Sequence, residues 1–176
     1  PLFSGERRRI RLGVYLSAIA PHSETYATLP LFRHLNPGDF DVRLYVQKAT
    51  GHPLEEAARK RINSFTVLPD AVKQSVEAIR GDELDILVFG CNLSANQGYG
   101  LMLASHRLAR KQGIHFCNPV SSGLSNVDFF LLGDYSAPER STEEQYSETV
   151  VKLSGAGICF DLPDENNNGR QPVLRE

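Results

Sequence analysis

The sequence predicts an α/β fold in which helices cover both faces of a doubly wound, mostly parallel sheet. Apolar strand patterns alternate about five times with helical patterns along the chain, an order typical of this class. Residues 86–89 are apolar at every position, as expected of a strand buried on both faces. This run and the apolar run at residues 114–117 both end in small polar residues. Because ligands bind beyond the carboxyl ends of parallel strands, these two turns predict a functional site.

The first strand and the first helix are predicted within residues 10–35. Residues 10–16 have the apolar character of a strand, and Ser23 is placed to cap the helix that follows. An apolar stripe at three-residue spacing supports this helix and consists of Tyr26, Leu29, Phe32 and Leu35. Pro30 lies inside the stripe, which predicts a kink or a later helix start because proline lacks an N–H donor.

The remaining elements continue the alternation. The next strand is expected at residues 40–46, a short charged helix at 54–62 and a short strand at 64–68. A helix then runs from a cap at Asp70 to Arg80 and buries Val72, Val76 and Ile79. Beyond the strand at 86–89, we expect a helix at 98–111 with Leu101 and Leu108 inward and Arg107, Arg110 and Lys111 outward. Strands are expected at 127–132 and 150–153, a polar helix at 138–146 and a last apolar segment at 158–160.

Composition and charge exclude several classes of protein. The net charge is −2, and the cluster Arg7-Arg8-Arg9 is better explained as a solvated lead-in than as a phosphate contact, so a nucleic-acid binder is not expected. No apolar run approaches the ~18 residues of a membrane span, and no signal peptide is visible. Cys91, Cys117 and Cys159 form no Cys-x-x-Cys pair, so we expect reduced core thiols in a cytoplasmic protein and no metal site.

The chain divides into a single folded lobe and two flanking segments. Residues 1–9 are expected to be a linker or a cut end, 10–162 the α/β lobe, and 163–176 an interdomain linker. Gly98 and Gly100 form Gly-x-Gly without the third glycine of a dinucleotide fingerprint, so flexibility at a helix start explains them better.

Seven residues in the two strand-end turns are candidates for substrate binding because their amides, hydroxyls and backbone can form hydrogen bonds. They are Asn92, Ser94 and Asn96 in the first turn and Asn118, Ser121, Ser122 and Gly123 in the second. The same residue types also favour turns and helix caps without any ligand, and this explanation stays open. Asp82 and Asp85 stand at the opposite end of the strand and are expected to cap or solvate it.

Several motifs in one order carry a family resemblance. They are Arg-Ile-Arg-Leu-Gly-Val-Tyr-Leu, Leu-Phe-Arg-His-Leu-Asn-Pro-Gly-Asp-Phe-Asp-Val-Arg-Leu-Tyr, Leu-Asp-Ile-Leu-Val, Pro-Val-Ser-Ser-Gly-Leu-Ser-Asn-Val-Asp-Phe and Glu-Gln-Tyr-Ser-Glu-Thr-Val-Val-Lys-Leu. Across residues 10–160 the chain resembles the N-terminal catalytic half of the O-linked N-acetylglucosamine transferase (SPINDLY-like) family, as a divergent member.

The resemblance implies a Rossmann-like lobe of a two-lobed GT-B glycosyltransferase. Such an enzyme transfers a sugar from a UDP-sugar, UDP-GlcNAc or a related donor, to Ser or Thr of a protein or peptide acceptor, without a cofactor. Tetratricopeptide repeats would precede this lobe. A C-terminal Rossmann half would follow it and bind most of the nucleotide, so the fragment alone is expected to be inactive.

The same resemblance assigns individual residues. The histidine that follows the family's first strand matches His22, where an imidazole could accept a proton from the acceptor hydroxyl or orient it. The family's Gly-His-Thr turn matches Cys91-Asn92-Leu93, which lacks the ring. Its Trp-Leu-Gly-Tyr-Pro-Gly-Thr-Thr-Gly loop matches residues 115–123, which keep the proline, the two hydroxyl residues and the last glycine.

Two other functions remain open from the sequence. The chain could be a non-catalytic α/β binding or interaction domain that kept the scaffold and lost the chemistry. A flavodoxin-like regulator is a weaker alternative, because no acidic cluster or phosphate loop follows the first strand.

Overall fold

A computed structural model of the chain describes residues 8–93, 98–115, 117–118, 120–136 and 143–160. Within these residues strands and helices alternate, and a 3₁₀ turn at Glu143–Gln145 precedes the last strand. The elements are β1 (Ile10–Ala18), α1 (Ser23–His34), β2 (Phe40–Lys48), α2 (Pro53–Arg59), β3 (Ser64–Val67), α3 (Val72–Gly81), β4 (Leu84–Phe89), α4 (Tyr99–Ala104), β5 (Ala109–Ile114), β6 (Phe129–Gly133) and β7 (Thr149–Leu153).

The described strands form one sheet in the order β3-β2-β1-β4-β5-β6-β7, and every neighbouring pair is parallel. The chain winds outward from β1 to β3, returns to the other side of β1 as β4, and continues to β7. This confirms the predicted doubly wound α/β fold. The direction of winding reverses between β1 and β4, which is the position where ligands bind in open sheets of this kind.

The core lies on both faces of three adjacent strands, β2, β1 and β4. Val14 of β1, Leu44 of β2 and Leu87 of β4 are fully buried. The rings of Tyr15 and Phe89 meet edge to face with their centroids 5.7 Å apart. This burial explains why residues 86–89 of β4 lack the polar alternation of a half-exposed strand, whereas β2 still alternates through Asp41 and Arg43. It also holds the carboxyl ends of the three strands in fixed relative positions.

The helix predicted for residues 98–111 is wrong in its second half. α4 ends at Ala104, and Ala109–Ile114 forms β5 instead. Alanine, arginine and lysine at the start of this strand favour helices, but pairing with β4 overrides that preference. Buried Gln112 supports the change of direction, since its Oε1 accepts hydrogen bonds from the backbone N–H groups of Leu108 and Ala109. Leu101 is 39% exposed and does not point inward as predicted.

The two helix starts also differ from the predictions. His22 occupies the N-cap position of α1 without a side-chain cap, and Ser23 is already the first helical residue. α1 continues through the buried Pro30 and does not begin after it. The N-cap of α3 is Ala71, so Asp70 does not cap that helix. Both helices therefore rely on packing more than on capping side chains.

The two strands predicted in the last third of the chain are confirmed as β6 and β7, with small shifts of their ends. Of the helix predicted at 138–146, the described part is the 3₁₀ turn at residues 143–145. Ile158 and Phe160 are exposed and lie in no strand, and Cys159 is exposed, contrary to the expected core thiol. The boundaries at residues 9 and 162 stay predictions. Among the described residues, no helix has the length and apolar character needed to cross a membrane.

Candidate functional site

The loops that follow β1, β4 and β5 meet at one edge of the sheet, called here the carboxyl rim. Because the strands are parallel, their carboxyl ends share this edge, and α1 begins there. The backbone N–H of Asn92, after β4, donates a hydrogen bond of 2.7 Å to Oε1 of Glu24 in the first turn of α1. His22 and Asn92 therefore belong to the same rim. Ser121 bonds Glu148, the residue before β7, at the amino end of that strand, so its place at this rim stays a prediction.

Asn118 ties the loop after β5 to the loop after β4. Its Oδ1 accepts a hydrogen bond from the backbone N–H of Leu93 at 2.9 Å, and its Nδ2 donates one to the carbonyl of Cys91 at 2.9 Å. The residue is only 5% exposed. Both ends of its amide thus hold a neighbouring backbone segment. Contact between Asn118 and a substrate stays a prediction, and its role visible here is to shape the rim.

Glu148 organises the two serines of the candidate site. Its Oε2 accepts a hydrogen bond from Oγ of Ser121 at 2.7 Å, and its Oε1 accepts from the backbone N–H of Ser122 at 2.8 Å and from the Ser122 hydroxyl. The carboxylate is 4% exposed. Burial by itself would raise its pKa, but the hydrogen bonds from Ser122 and Ser121 outweigh it, and the pKa lies below its ordinary value. Glu148 is therefore an ionised anchor for this loop.

Gly123 and the serine hydroxyls differ in exposure. Gly123 is exposed, has a φ of +67°, and its N–H donates to Oγ of Ser121 at 3.3 Å. A side chain would be strained at this φ, so glycine suits the turn. Oγ of Ser121 also lies 2.9 Å from Oγ of Ser147. The loop is thus held by Ser147 and Glu148, just before β7, and presents Gly123 at the surface.

His115 is a buried histidine at the rim that the sequence prediction did not single out. Its Nδ1 accepts a hydrogen bond from the backbone N–H of Cys117 at 3.2 Å, which places the proton of the neutral ring on Nε2. That nitrogen lies 3.1 Å from Oγ1 of Thr28, which in turn lies 3.5 Å from the carbonyl of Gly90. Burial lowers the pKa of His115 to about 4. The ring is therefore neutral near pH 7 and links β5, α1 and the loop after β4.

The remaining predicted site residues are placed as follows. His22 is exposed, and no described residue forms a hydrogen bond with its ring. Asn92 is half-buried and reaches Glu24 through its backbone. Ser94 and Asn96 lie outside the described residues.

Two further features of this rim are its cysteine thiol and the groups that could hold a metal ion. Burial, and then the nearby Glu24 carboxylate, raise the pKa of the Cys117 thiol to about 12, so it is a poor nucleophile at neutral pH. The described residues contain no group of three or more His, Cys, Asp or Glu side chains arranged to hold a metal ion. Transfer without a metal stays a prediction.

Sequence reasoning missed Glu24 and His115, and it placed Glu148 only in a family motif, with packing or a hydrogen bond to the strand edge as its expected role. Each had a signal: Glu24 is the acidic residue in the first turn of α1, His115 follows a strand, and Glu148 precedes one. The sequence does not show that Glu148 is the hydrogen-bond partner of the serines, because it lies 26 residues from Ser122 along the chain.

Comparison with known proteins supports the fold. No protein-family model matches the sequence, and no curated protein matches it either. Solved structures do match. One is a mutant of the Thermobaculum terrenum O-GlcNAc transferase, with a TM-score of 0.76 and 23% identity over 86% of this chain. The chain spans 29% of the length of that transferase chain. This protein thus has the Rossmann-like α/β fold found in part of a GT-B glycosyltransferase.

Proposed function

We propose that this chain is the acceptor-side half of a nucleotide-sugar-dependent protein O-glycosyltransferase. The reaction would move GlcNAc or a related sugar from a UDP-sugar to a Ser or Thr hydroxyl. The observation that carries the proposal is the junction of α1 with the loops after β4 and β5 at the carboxyl rim, made by the Asn92–Glu24 and Asn118–Leu93 hydrogen bonds. The likeness of the fold to an O-GlcNAc transferase structure supports it.

His22 is the residue proposed to act on the acceptor. Its ring is exposed at the start of α1, and no described residue occupies its nitrogens. An imidazole in that position can accept the proton of an attacking hydroxyl or orient it toward the anomeric carbon, while the nucleotide diphosphate leaves. The Asn92–Glu24 bond, two residues away on the same helix turn, holds the surrounding backbone.

The polar loops are proposed to form the wall against which the sugar and the acceptor lie. Asn92 and Asn118 would contribute from one loop pair, and Ser121, Ser122 and Gly123 from the loop anchored by Glu148. Serine hydroxyl oxygens held in this way can accept hydrogen bonds from sugar hydroxyls without reorganising. Ser94 and Asn96 are proposed to join them.

The partners follow from the same proposal. A second Rossmann half would bind the UDP portion, and activity would require it. Upstream tetratricopeptide repeats would help to grip the acceptor protein or peptide. No cofactor or metal is proposed, and neither is a nucleic-acid or membrane partner. The proposed location is the cytoplasm.

One observation favours a second candidate function, a non-catalytic α/β binding domain. The side chains of Asn118, Ser121 and Ser122 already hold hydrogen bonds inside the protein, and His115 is buried and neutral. A rim stabilised in this way could persist after the chemistry has been lost. The two candidates share a fold and differ only in turnover.

Turnover of UDP-sugars by the full-length protein separates the two candidates. We expect transfer of sugar to a protein acceptor, and a loss of at least ~100-fold in kcat for His22→Ala, as for removal of a general base. The matched control is His34→Ala, which removes an exposed imidazole from the other end of α1 and should leave turnover unchanged. Unchanged turnover in His22→Ala would remove this histidine from the mechanism. Acceptor binding without any turnover would favour the non-catalytic domain.

A further inference from the structure

We propose a second binding site, for a small multiply charged phosphate compound, at the edge of the sheet opposite the carboxyl rim. A pocket of about 380 Å³ opens there, where β1, β4 and β5 begin and α3 ends. Its charged lining, called here the arginine pocket, consists of Arg8, Arg11, Arg80, Arg107, Arg110 and Glu83. Five arginines line this one space, although the net charge of the chain is −2.

Three carboxylates neutralise part of this charge. Asp85 accepts two hydrogen bonds from Arg8, of 2.7 and 2.9 Å, and Glu83 pairs with Arg11 at 2.9 Å. Asp128 pairs with Arg107 and, at 3.2 Å, with Lys111. Asp85 is thus a fixed counter-ion, more than the solvated cap expected from the sequence.

Two arginines keep unsatisfied donors toward the pocket. Arg80 donates its Nε to the carbonyl of Arg107 at 2.9 Å, and no described carboxylate forms an ion pair with its guanidinium. Arg110 is 76% exposed, and its nearest carboxylate oxygen, on Asp85, is 3.7 Å from Nε. Asp85 is already engaged by both terminal nitrogens of Arg8. Two positive charges therefore remain without a close, dedicated partner.

This arrangement fits a phosphate ligand. The planar guanidinium donates two parallel hydrogen bonds that match the oxygens of phosphate, and such charge-assisted bonds are stronger than neutral ones. The volume lies near the lower end of small-molecule sites, about 300–1,000 Å³, which suits a diphosphate group or a phosphorylated metabolite better than a peptide. The positive charges of Arg80 and Arg110 match the negative charge of such a group. Leu84, Leu108 and Ala109 supply an apolar floor.

Binding of inorganic pyrophosphate to the 176-residue chain, measured by isothermal titration calorimetry at low salt, tests the proposal. We expect saturable binding with one site and an affinity that falls with added salt. Arg80→Gln combined with Arg110→Gln should weaken binding at least tenfold, since each removes a charge-assisted contact. The control is Arg61→Gln combined with Lys73→Gln, which removes the same charge from exposed residues outside the pocket. Circular dichroism of each variant verifies the fold.

The outcomes are distinct. A selective loss in the pocket variant supports the site, and so does a loss in Arg110→Gln alone, because the Arg110 side chain is exposed and contributes little to folding. An equal loss in the control pair would mean general charge attraction and would overturn the proposal. No saturable binding up to about 5 mM pyrophosphate would overturn it as well. Binding of hexaglutamate without binding of pyrophosphate would assign the pocket to an acidic peptide instead.

Discussion

Nε2 of His115 lies 3.1 Å from Oγ1 of Thr28, a contact that joins the end of β5 to α1 across 87 positions of the chain. Gly90, in the loop after β4, packs directly against this contact. A side chain at position 90 would not fit, because its Cβ atom would lie 2.9 Å from Oγ1 of Thr28 and 3.3 Å from Nε2 of His115. A buried, neutral histidine thus joins the elements beneath the carboxyl rim. The stability of the protein should therefore depend on the protonation of this ring.

The first prediction concerns acid stability. The pKa of His115 is lowered from its ordinary 6.5 to about 4, so between these values the unfolded chain binds the proton that the folded chain rejects. Stability from this group is complete above pH 6.5 and is lost as the pH falls toward 4, by about 3 kcal/mol in all. Urea unfolding of wild type and His115→Gln from pH 7.5 to 4 should show a shallower decline in the variant. His106→Gln, at an exposed histidine, should follow the wild-type slope, and equal slopes for His115→Gln and wild type would contradict the assignment.

The second prediction concerns Glu148. Glu148→Ala leaves the Ser121 and Ser122 hydroxyls and the Ser122 N–H without their acceptor, and we expect a loss of about 2–4 kcal/mol in the free energy of unfolding. Urea denaturation measures the loss. The control is Glu144→Ala, an exposed residue of the 3₁₀ turn, expected to change stability by less than about 0.5 kcal/mol. A similar effect of both variants would show that the anchor has no special role.

The third prediction concerns Asn118 as the tie between two loops. In Asn118→Ala, the Leu93 N–H and the Cys91 carbonyl lose their partner, so the loop after β4 should open more often. Hydrogen exchange of the Leu93 amide should accelerate by at least ~10-fold. The amide of Val42, bonded to Oδ1 of Asn63 in another part of the sheet, is the internal control. Acceleration of both amides together would indicate global destabilisation instead.

The fourth prediction concerns the close packing of β5 on β6. A Cβ on Gly113 would lie 2.0 Å from Cε2 of Phe129, so Gly113→Ala must displace that ring. We expect a loss of about 1–3 kcal/mol in the free energy of unfolding, measured by urea denaturation. Gly81→Ala, where nothing lies within 4 Å of the added atom, should be neutral or slightly stabilising. Equal stability of Gly113→Ala and wild type would contradict the packing seen here.

The fold was more predictable than the rim, for physical reasons. The uninterrupted apolar run at residues 86–89 predicts a strand that is buried on both faces, because few other structures accommodate such a run. β4 confirms this prediction. β5 was mistaken for helix because Ala109, Arg110 and Lys111 favour helices locally, and only the pairing with β4 decides their state. His115 escaped notice, and the anchoring of the serine loop by Glu148 was not predicted, because a single residue does not reveal a partner that tertiary structure supplies.

The hydrogen bonds from the serine loop to Glu148 also determine when this loop can form during synthesis on the ribosome. Ser122 leaves the ribosome 26 residues before Glu148, and Asn92 needs a glutamate that emerged 68 residues earlier. β1 to β5 can therefore associate while the nascent chain is still growing. The serine loop lacks its acceptor until Glu148, just before β7, has been synthesised. A truncation just before Glu148 would keep the other six described strands and leave the Ser121 and Ser122 hydroxyls without this acceptor.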